Sequence, residues 1–241
     1  LSLAFQPIMD LATSSVAGAE ALLRWNSAEL GQVSPVEFIP IAEETGLIQD
    51  IGDWVLKESC RAASELRRHL GRPLFMSINL SAKQVERRIV DLVAESLDTH
   101  SLSPELLKVE VTESLLVRDI PLTLEIMESM RNLGVGLSLD DFGTGYSSLS
   151  YIKKYPFSTL KIDQSFIRGI LLDARDRRLF SAIVAMARAL GLDITAEGVE
   201  TQEHLGLVRG ERCAYAQGYL FSPPMPFDRF VAFIREKTFV S

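Results

Sequence analysis

The acidic residues of this chain fall where charge is hard to leave uncompensated. The stretch "LSLDDFGTGYSS", residues 137–148, places Asp140 and Asp141 side by side at the end of an apolar run and follows them with Gly-x-Gly. Burying neighbouring carboxylates costs free energy unless a cation or hydrogen-bond donors offset them. Glu20, Asn79, Glu110, Asp163 and Glu197, with Lys161 and Gln217, occupy similar positions towards the ends of other short β-rich runs. If these side chains converge, the carboxylates cannot all stay ionised without a positive partner. All-oxygen donors without imidazole or thiolate point to Mg²⁺ or Mn²⁺ rather than zinc. Two adjacent carboxylates can serve two such ions about 4 Å apart, which clamp the attacking and leaving oxygens of a phosphoryl displacement. The plainer reading is that Asp141 caps a following helical turn.

Other chemistries lose support. His69, His100 and His204 share no motif and read as structural, so a histidine-based metal hydrolase is disfavoured. There is no GxxxxGK[ST] loop and no serine in a GxSxG context. A net charge of −7 argues against a surface that grips polymeric nucleic acid. Cys60 and Cys213 are far apart with no CxxC, as expected of small buried hydrophobes in a reducing cytosol. No apolar run approaches the ~18 residues of a membrane span, and no signal peptide opens the chain. The expectation is a cytoplasmic domain spanning residues 1–241, excised from something longer that could itself be membrane-anchored.

The elements that must position the acids alternate. Strand-like runs lie at 3–9, 17–25, 74–81, 107–113, 134–141, 158–164, 192–199 and 213–221. Helical patterns separate most of them, notably at 50–70, 83–98, 118–133, 174–190 and 227–236. Ser34 with Pro35 and Glu37, Ser103 with Pro104, and Ser81 with Gln84 read as helix starts, while Gly71, Gly134 and Gly191 read as left-handed helix ends. This rhythm predicts either a (β/α)8 barrel or an open doubly wound sheet. Residues two apart in a strand share a face, which groups Glu20 with Arg24, Ser77 with Asn79, Lys108 with Glu110 and Thr112, and Ser138 with Asp140. It likewise groups Thr159 with Lys161 and Asp163, Thr195 with Glu197, and Tyr215 with Gln217. A solvated sheet face would alternate too, but strands covered by helices bury both faces. Polar side chains at the carboxyl ends of barrel strands are where barrel enzymes hold their chemistry, so the barrel is favoured.

"GAEALLRW" (18–25), "SINLS" (77–81), "VEVTES" (109–114), "LDDFGTGYSSL" (139–149), "LKIDQSFI" (160–167), "TAEGVET" (195–201) and "AQGYLFSPP" (216–224) resemble, in order, the motifs of the EAL domain family; "SPVEFIPIAEETGLI" (34–48) is similar to its connecting segment. The resemblance implies an α/β fold, a modified (β/α)8 TIM-like barrel with one antiparallel strand near the start. It implies a phosphodiesterase that hydrolyses cyclic di-GMP to linear pGpG with two Mg²⁺ or Mn²⁺ ions. Position by position, it implies Glu20, Asn79, Glu110 and Asp140 as ligands of the first ion, with Asp141 and Asp163 at or near the second. Glu197 corresponds to the general base and Lys161 to the group positioning the attacking water. Gln217 and Glu200 support the site, Glu113 holds the "DFGTGYSS" loop, and Leu22 and Arg24 contact substrate, Arg24 at a phosphate. The resemblance further implies a homodimer through the 141–150 loop region and upstream regulatory domains.

Each residue also has a plainer role. Lys161 could be a core ion pair, Asn79 a helix cap, Gln217 a rim hydrogen-bonder, and "DARDRR" (173–178) a solvated helical turn. Family members that have lost metal ligands serve as cyclic di-GMP receptors or protein-binding modules, whereas every acid position here carries the expected residue. A Mg²⁺-dependent lyase or enolising barrel would fit the carboxylates alone but not the ordered motifs.

Overall fold

A computed structural model describes residues 1–117, 120–143 and 152–238. Its strands are β1 (Ser2–Asp10), β2 (Ser15–Ser27), β3 (Gly31–Val33), β4 (Phe75–Asn79), β5 (Leu107–Thr112), β6 (Gly136–Phe142), β7 (Thr159–Ile162), β8 (Asp193–Ala196) and β9 (Tyr215–Ala216). The helices are α1 (Pro35–Thr45), α2 (Ile48–Leu70), α3 (Arg88–Thr99), α4 (Ile120–Leu133), α5 (Gln164–Gly169), α6 (Ala174–Ala189), α7 (Gln202–Gly210) and α8 (Phe227–Thr238).

The sheet order β1-β9-β8-β7-β6-β5-β4-β2 is closed by pairing of β1 with β2, which makes a barrel, and β3 extends β2 outside the ring. β1 runs antiparallel to both neighbours, and the other ring strands are mutually parallel. Composition explains the layering. Met76 and Ile78, Val109 and Val111, Leu137 and Leu139, and Leu160 and Ile162 are buried on the helix-facing side, as a parallel sheet covered by helices requires. The alternate residues fill the interior, where Ser77, Ser138, Thr159 and Thr195 are all buried. Lys108 lies inside too, its Nζ 4.0 Å from the Phe75 ring centroid and 4.8 Å from that of Tyr215.

Several local expectations are met, and others are corrected. Gly71, Gly134 and Gly191 have φ of 65°, 94° and 75° after their helices. Ser34 precedes α1 with extended backbone and Pro35 follows, but the Ser34 hydroxyl makes no cap bond; the Glu37 N–H is taken by the Ser34 backbone carbonyl at 2.9 Å. Ser103–Pro104 opens only a 3₁₀ turn over Pro104–Leu106, because β5 begins at Leu107. Ser81 completes half of its box: its N–H donates to Gln84 Oε1 at 3.1 Å while its hydroxyl donates to Glu43, and α3 starts only at Arg88. The short helices α5 and α7 were not singled out by the helical patterning. Among the described residues no helix is long and apolar enough to cross a membrane. Both cysteines are buried and unpaired, and burial pushes each thiol up to about 12.

Candidate active site

The barrel interior brings four carboxylates onto one ammonium. Lys161 Nζ donates to Glu110 Oε2 at 2.6 Å and lies 2.7 Å from Glu197 Oε1, 3.2 Å from Asp140 Oδ2 and 3.5 Å from Glu20 Oε2. These residues come from β2, β5, β6 and β7 and from the turn after β8, and the strand register sets their levels: Glu110 pairs with Asn79 and Ser138, and Lys161 with Thr195. Glu20 is held at both oxygens, by Asn79 Nδ2 on Oε1 and Gln217 Nε2 on Oε2, each at 2.7 Å. Gln217 also donates to Gln6 Oε1 at 2.9 Å.

The aspartate pair owes its geometry to a bulge. Leu139 pairs with Leu160 but Phe142 with Ile162, so β6 carries an extra residue against β7 at Asp140–Asp141. Asp141 has φ 53°, and its N–H donates to Asp140 Oδ1 at 2.9 Å. A bulge turns consecutive side chains to one side, and aspartate tolerates the left-handed region better than most residues. The reversal therefore occurs at Asp141 itself, ahead of Gly143. Carboxylate oxygens of Asp140, Asp141 and Glu197 all fall within 4.8 Å of one another. Lys161 Nζ stands beside this grouping, among Glu20, Glu110 and Asp140.

One ammonium does not balance this cluster. Burial, with Glu20 and Asp140 adding to it and Lys161 opposing, pushes Glu110 up to about 8. Burial raises Glu197 well above the ordinary carboxylate range despite Lys161, and Asp141 is raised by burial and then by Asp140 and Asp163. Glu20 is lowered: burial opposes its ionisation but is outweighed by Lys161 and by the amides of Gln217 and Asn79. The four acids hold Lys161 well above its usual value in spite of its burial. Without further positive charge several acids must retain protons. This surplus of hard oxygen donors, one of them Asn79 with its Oδ1 left as acceptor, fits divalent metal ions of the Mg²⁺ type.

A family model described as EAL domain matches residues 1–224. The chain belongs to the EAL domain family. Among its relatives, the cyclic di-GMP phosphodiesterase NbdA of Pseudomonas aeruginosa is 42% identical over 240 residues, 99% of this chain and 31% of that protein. The bifunctional diguanylate cyclase/cyclic di-GMP phosphodiesterase MucR of the same organism is 44% identical over 236 residues, 96% of this chain and 34% of that protein. The EAL domain thus spans about a third of the length of these relatives. A solved structure of the PaMucR phosphodiesterase in complex with c-di-GMP matches with a TM-score of 0.90 at 44% identity, covering 95% of this chain and 93% of that one. The EAL domain of Mycobacterium smegmatis DcpA matches with a TM-score of 0.83 at 33% identity, over 98% and 96% of the two chains.

The remaining expected residues are distributed around the cluster of this EAL domain. A cleft of about 410 Å³ opens above the acids, and Leu22, Arg24 and Glu200 line it. Arg24 Nη1 donates to Leu23 O at 2.8 Å. Asp163, half-buried, caps α5 by accepting from the Ser165 N–H at 2.9 Å. Glu200 pairs with Arg168 at the rim, outside the Lys161 cluster. Glu113 is buried, and its Oε2 has no hydrogen-bond partner among the described residues; residues 144–148 of the loop it is expected to hold, and most of the expected dimer region 141–150, lie outside the described residues. Gln6 was missed, although it is a polar residue in the middle of the apolar run "LAFQPIM". It pairs in register with Glu20 across β1 and β2. Arg168 and Gln164, also in the cleft wall, had no signal beyond following the "KID" motif.

Proposed function

We propose that this EAL domain is a phosphodiesterase that hydrolyses cyclic di-GMP to linear 5′-pGpG with Mg²⁺ or Mn²⁺, two ions per site. The carrying observation is the convergence of Asp140, Asp141 and Glu197 beside Lys161 at the floor of an open cleft. The likeness to NbdA and MucR, both named cyclic di-GMP phosphodiesterases, supports the choice of substrate. Glu20, Asn79, Glu110 and Asp140 would hold the first ion, and Asp141 with Asp163 the second. Once bound, such ions supply an activated nucleophile and positive charge for the phosphoryl oxygens.

The chain's own groups do the rest. Glu197 Oε1, with its affinity for a proton raised by burial, accepts the proton of the attacking water. Lys161 Nζ, 2.7 Å from Glu197 Oε1, orients that carboxylate and keeps positive charge beside the reacting phosphate. Asn79 and Gln217 lock Glu20 so that its oxygens are preorganised. Arg24 and Leu22, on the β2 wall, contact the substrate, Arg24 at a phosphate. Dimerisation through the 141–150 region, regulatory domains upstream and a cytoplasmic setting belong to the same proposal; family membership and the greater length of the relatives support it.

The test is incubation of the purified chain with cyclic di-GMP, with and without Mg²⁺ or Mn²⁺, followed by chromatography for pGpG. Metal-dependent product is expected. Tight binding without product would replace the enzyme with a receptor.

A further inference from the structure

Three buried side chains form a hydrogen-bonded line through the barrel wall to Glu20. Gln6 Nε2 donates to the Ser222 backbone carbonyl at 3.3 Å, and Gln217 Nε2 donates to Gln6 Oε1 at 2.9 Å. The same Gln217 nitrogen donates to Glu20 Oε2 at 2.7 Å. Gln6, Gln217 and Glu20 are 8%, 4% and 6% exposed, so bulk water competes little for these contacts and each is stronger than it would be at the surface.

The two ends of the line can only accept. One is a backbone carbonyl and the other is the carboxylate of Glu20, which leaves a single orientation for the two amides between them. Gln6 must turn its NH₂ to Ser222, and its oxygen then faces Gln217. Gln217 must present its NH₂, with one hydrogen for Gln6 and one for Glu20. Turning either amide over would set donor against donor or oxygen against oxygen. The arrangement leaves Gln217 Oε1 buried with no hydrogen-bond partner among the described residues. A buried orphan acceptor favours rotation of its amide, and the contact with Gln6 opposes that rotation.

We infer that Gln6 is a positioning residue for Glu20, acting through the Gln217 amide. This rests on the proposed two-metal reading, in which Glu20 holds the first ion, and adds to it the group that gives Gln217 its direction. The topology explains why β1 supplies it. β1 lies between β2 and β9 in the ring, with Gln6 in register with Glu20 on one side and Met9 with Ala216, the neighbour of Gln217, on the other. The Phe5 N–H donates to Met225 O at 2.7 Å and the Met225 N–H to Phe5 O at 3.0 Å. That bridge holds the segment carrying Ser222 against β1, within reach of Gln6. An apolar side chain at this position would fill the same space but could not choose between the two faces of the Gln217 amide.

The test measures Mn²⁺ affinity by calorimetry on the substrate-free domain for the unaltered chain, Gln6→Met, Gln217→Met and the double variant. Gln6→Met is expected to raise the Kd for Mn²⁺ about tenfold and to raise the Mn²⁺ concentration that half-activates hydrolysis equally, with the KM for cyclic di-GMP unchanged at saturating metal. The double variant should bind Mn²⁺ no more weakly than Gln217→Met alone, because Gln6 then has no amide left to orient. Gln6→Asn keeps an amide but withdraws it by one methylene; it should weaken Mn²⁺ binding as Gln6→Met does, and it serves if the methionine variant does not fold. Losses that multiply in the double variant would overturn the inference, since Gln6 would then act independently of Gln217. A raised KM with unchanged Mn²⁺ affinity would make Gln6 a substrate contact, and a lowered Tm with unchanged Mn²⁺ affinity would make it structural; either result overturns it. If the unaltered domain binds no Mn²⁺, the two-metal reading fails, and the Gln217 side-chain amide, followed by NMR, decides the orientation on its own. Slow hydrogen exchange there that Gln6→Met abolishes would uphold the role of Gln6, and exchange unchanged by Gln6→Met would refute it.

Discussion

Lys161 Nζ lies 2.6 Å from Glu110 Oε2, and each side chain is only 2% exposed. Both charges have been taken out of water, so the pair is held by mutual dependence rather than by a large net gain. Glu20, Asp140 and Glu197 lean on the same ammonium. Lys161→Met should therefore cost about 3–5 kcal/mol, since it strands several buried carboxylates without their cation. Urea denaturation at neutral pH measures this, and added Mg²⁺ should recover part of the loss. A variant as stable as the parent would mean that the acids are already protonated.

Glu197 is the acid nearest Lys161 that also keeps solvent access, with its side chain 18% exposed. Glu197→Gln preserves shape and removes the proton acceptor. Turnover of cyclic di-GMP should fall by about 10²–10⁴-fold. Affinity measured calorimetrically with Ca²⁺ should change little, and equal losses in both would make the residue a binding group.

The raised acids give the metal-free domain a pH signature. Glu110 is pushed up to about 8 from an ordinary value of 4.5, so the folded state binds the extra proton. Its contribution is fully present below about 4.5 and is lost as pH rises through 8. The Tm of the metal-free protein should decline across that window, and Mg²⁺ should flatten the decline by replacing the protons. Metal binding at pH 7 should also release protons, visible as heats that vary with buffer ionisation enthalpy. Heats independent of buffer would refute the surplus of protonated acids.

Asp141 combines a left-handed backbone, φ 53°, with a carboxylate in the acid cluster. Asp141→Gly relieves the strain, worth about 1 kcal/mol, and removes the charge. The expected result is a protein at least as stable as the parent whose metal affinity and turnover are both reduced, read by thermal melts and metal titration. Asp141→Ala should lose both stability and metal affinity, because alanine keeps the strain without the compensating polar contacts.

Much of this protein was legible in order along the chain. Alternation such as Leu137-Ser138-Leu139-Asp140 fixes which side of a strand meets helices and which meets the interior, because side chains alternate in a pleat whatever the partner strand. Gly71, Gly134 and Gly191 marked helix ends because the left-handed region is nearly closed to other residues. Cap chemistry travelled less well. At Ser34, Ser81 and Ser103 the sequence offers a hydroxyl, but backbone carbonyls, the Glu43 carboxylate and the start of β5 decided what each one did.

The sequence by itself determined the residue types of the site, the acids at strand ends and the family to which they belong, since these depend on composition and short spacing. The tertiary structure decided the distances. Pairing of β1 with β9 brings Gln6 and Gln217, 211 residues apart, to 2.9 Å, and the pairing of β2 with β1 and β4 fixes Glu20 between Asn79 and Gln217. The bulge against β7 turns Asp141 inwards beside Asp140, and Lys161 became the shared counter-ion of four acids rather than of one. Pairing between strands distant in the chain sets these relations, and electrostatic energy varies with separation and burial, which no local pattern of residues encodes.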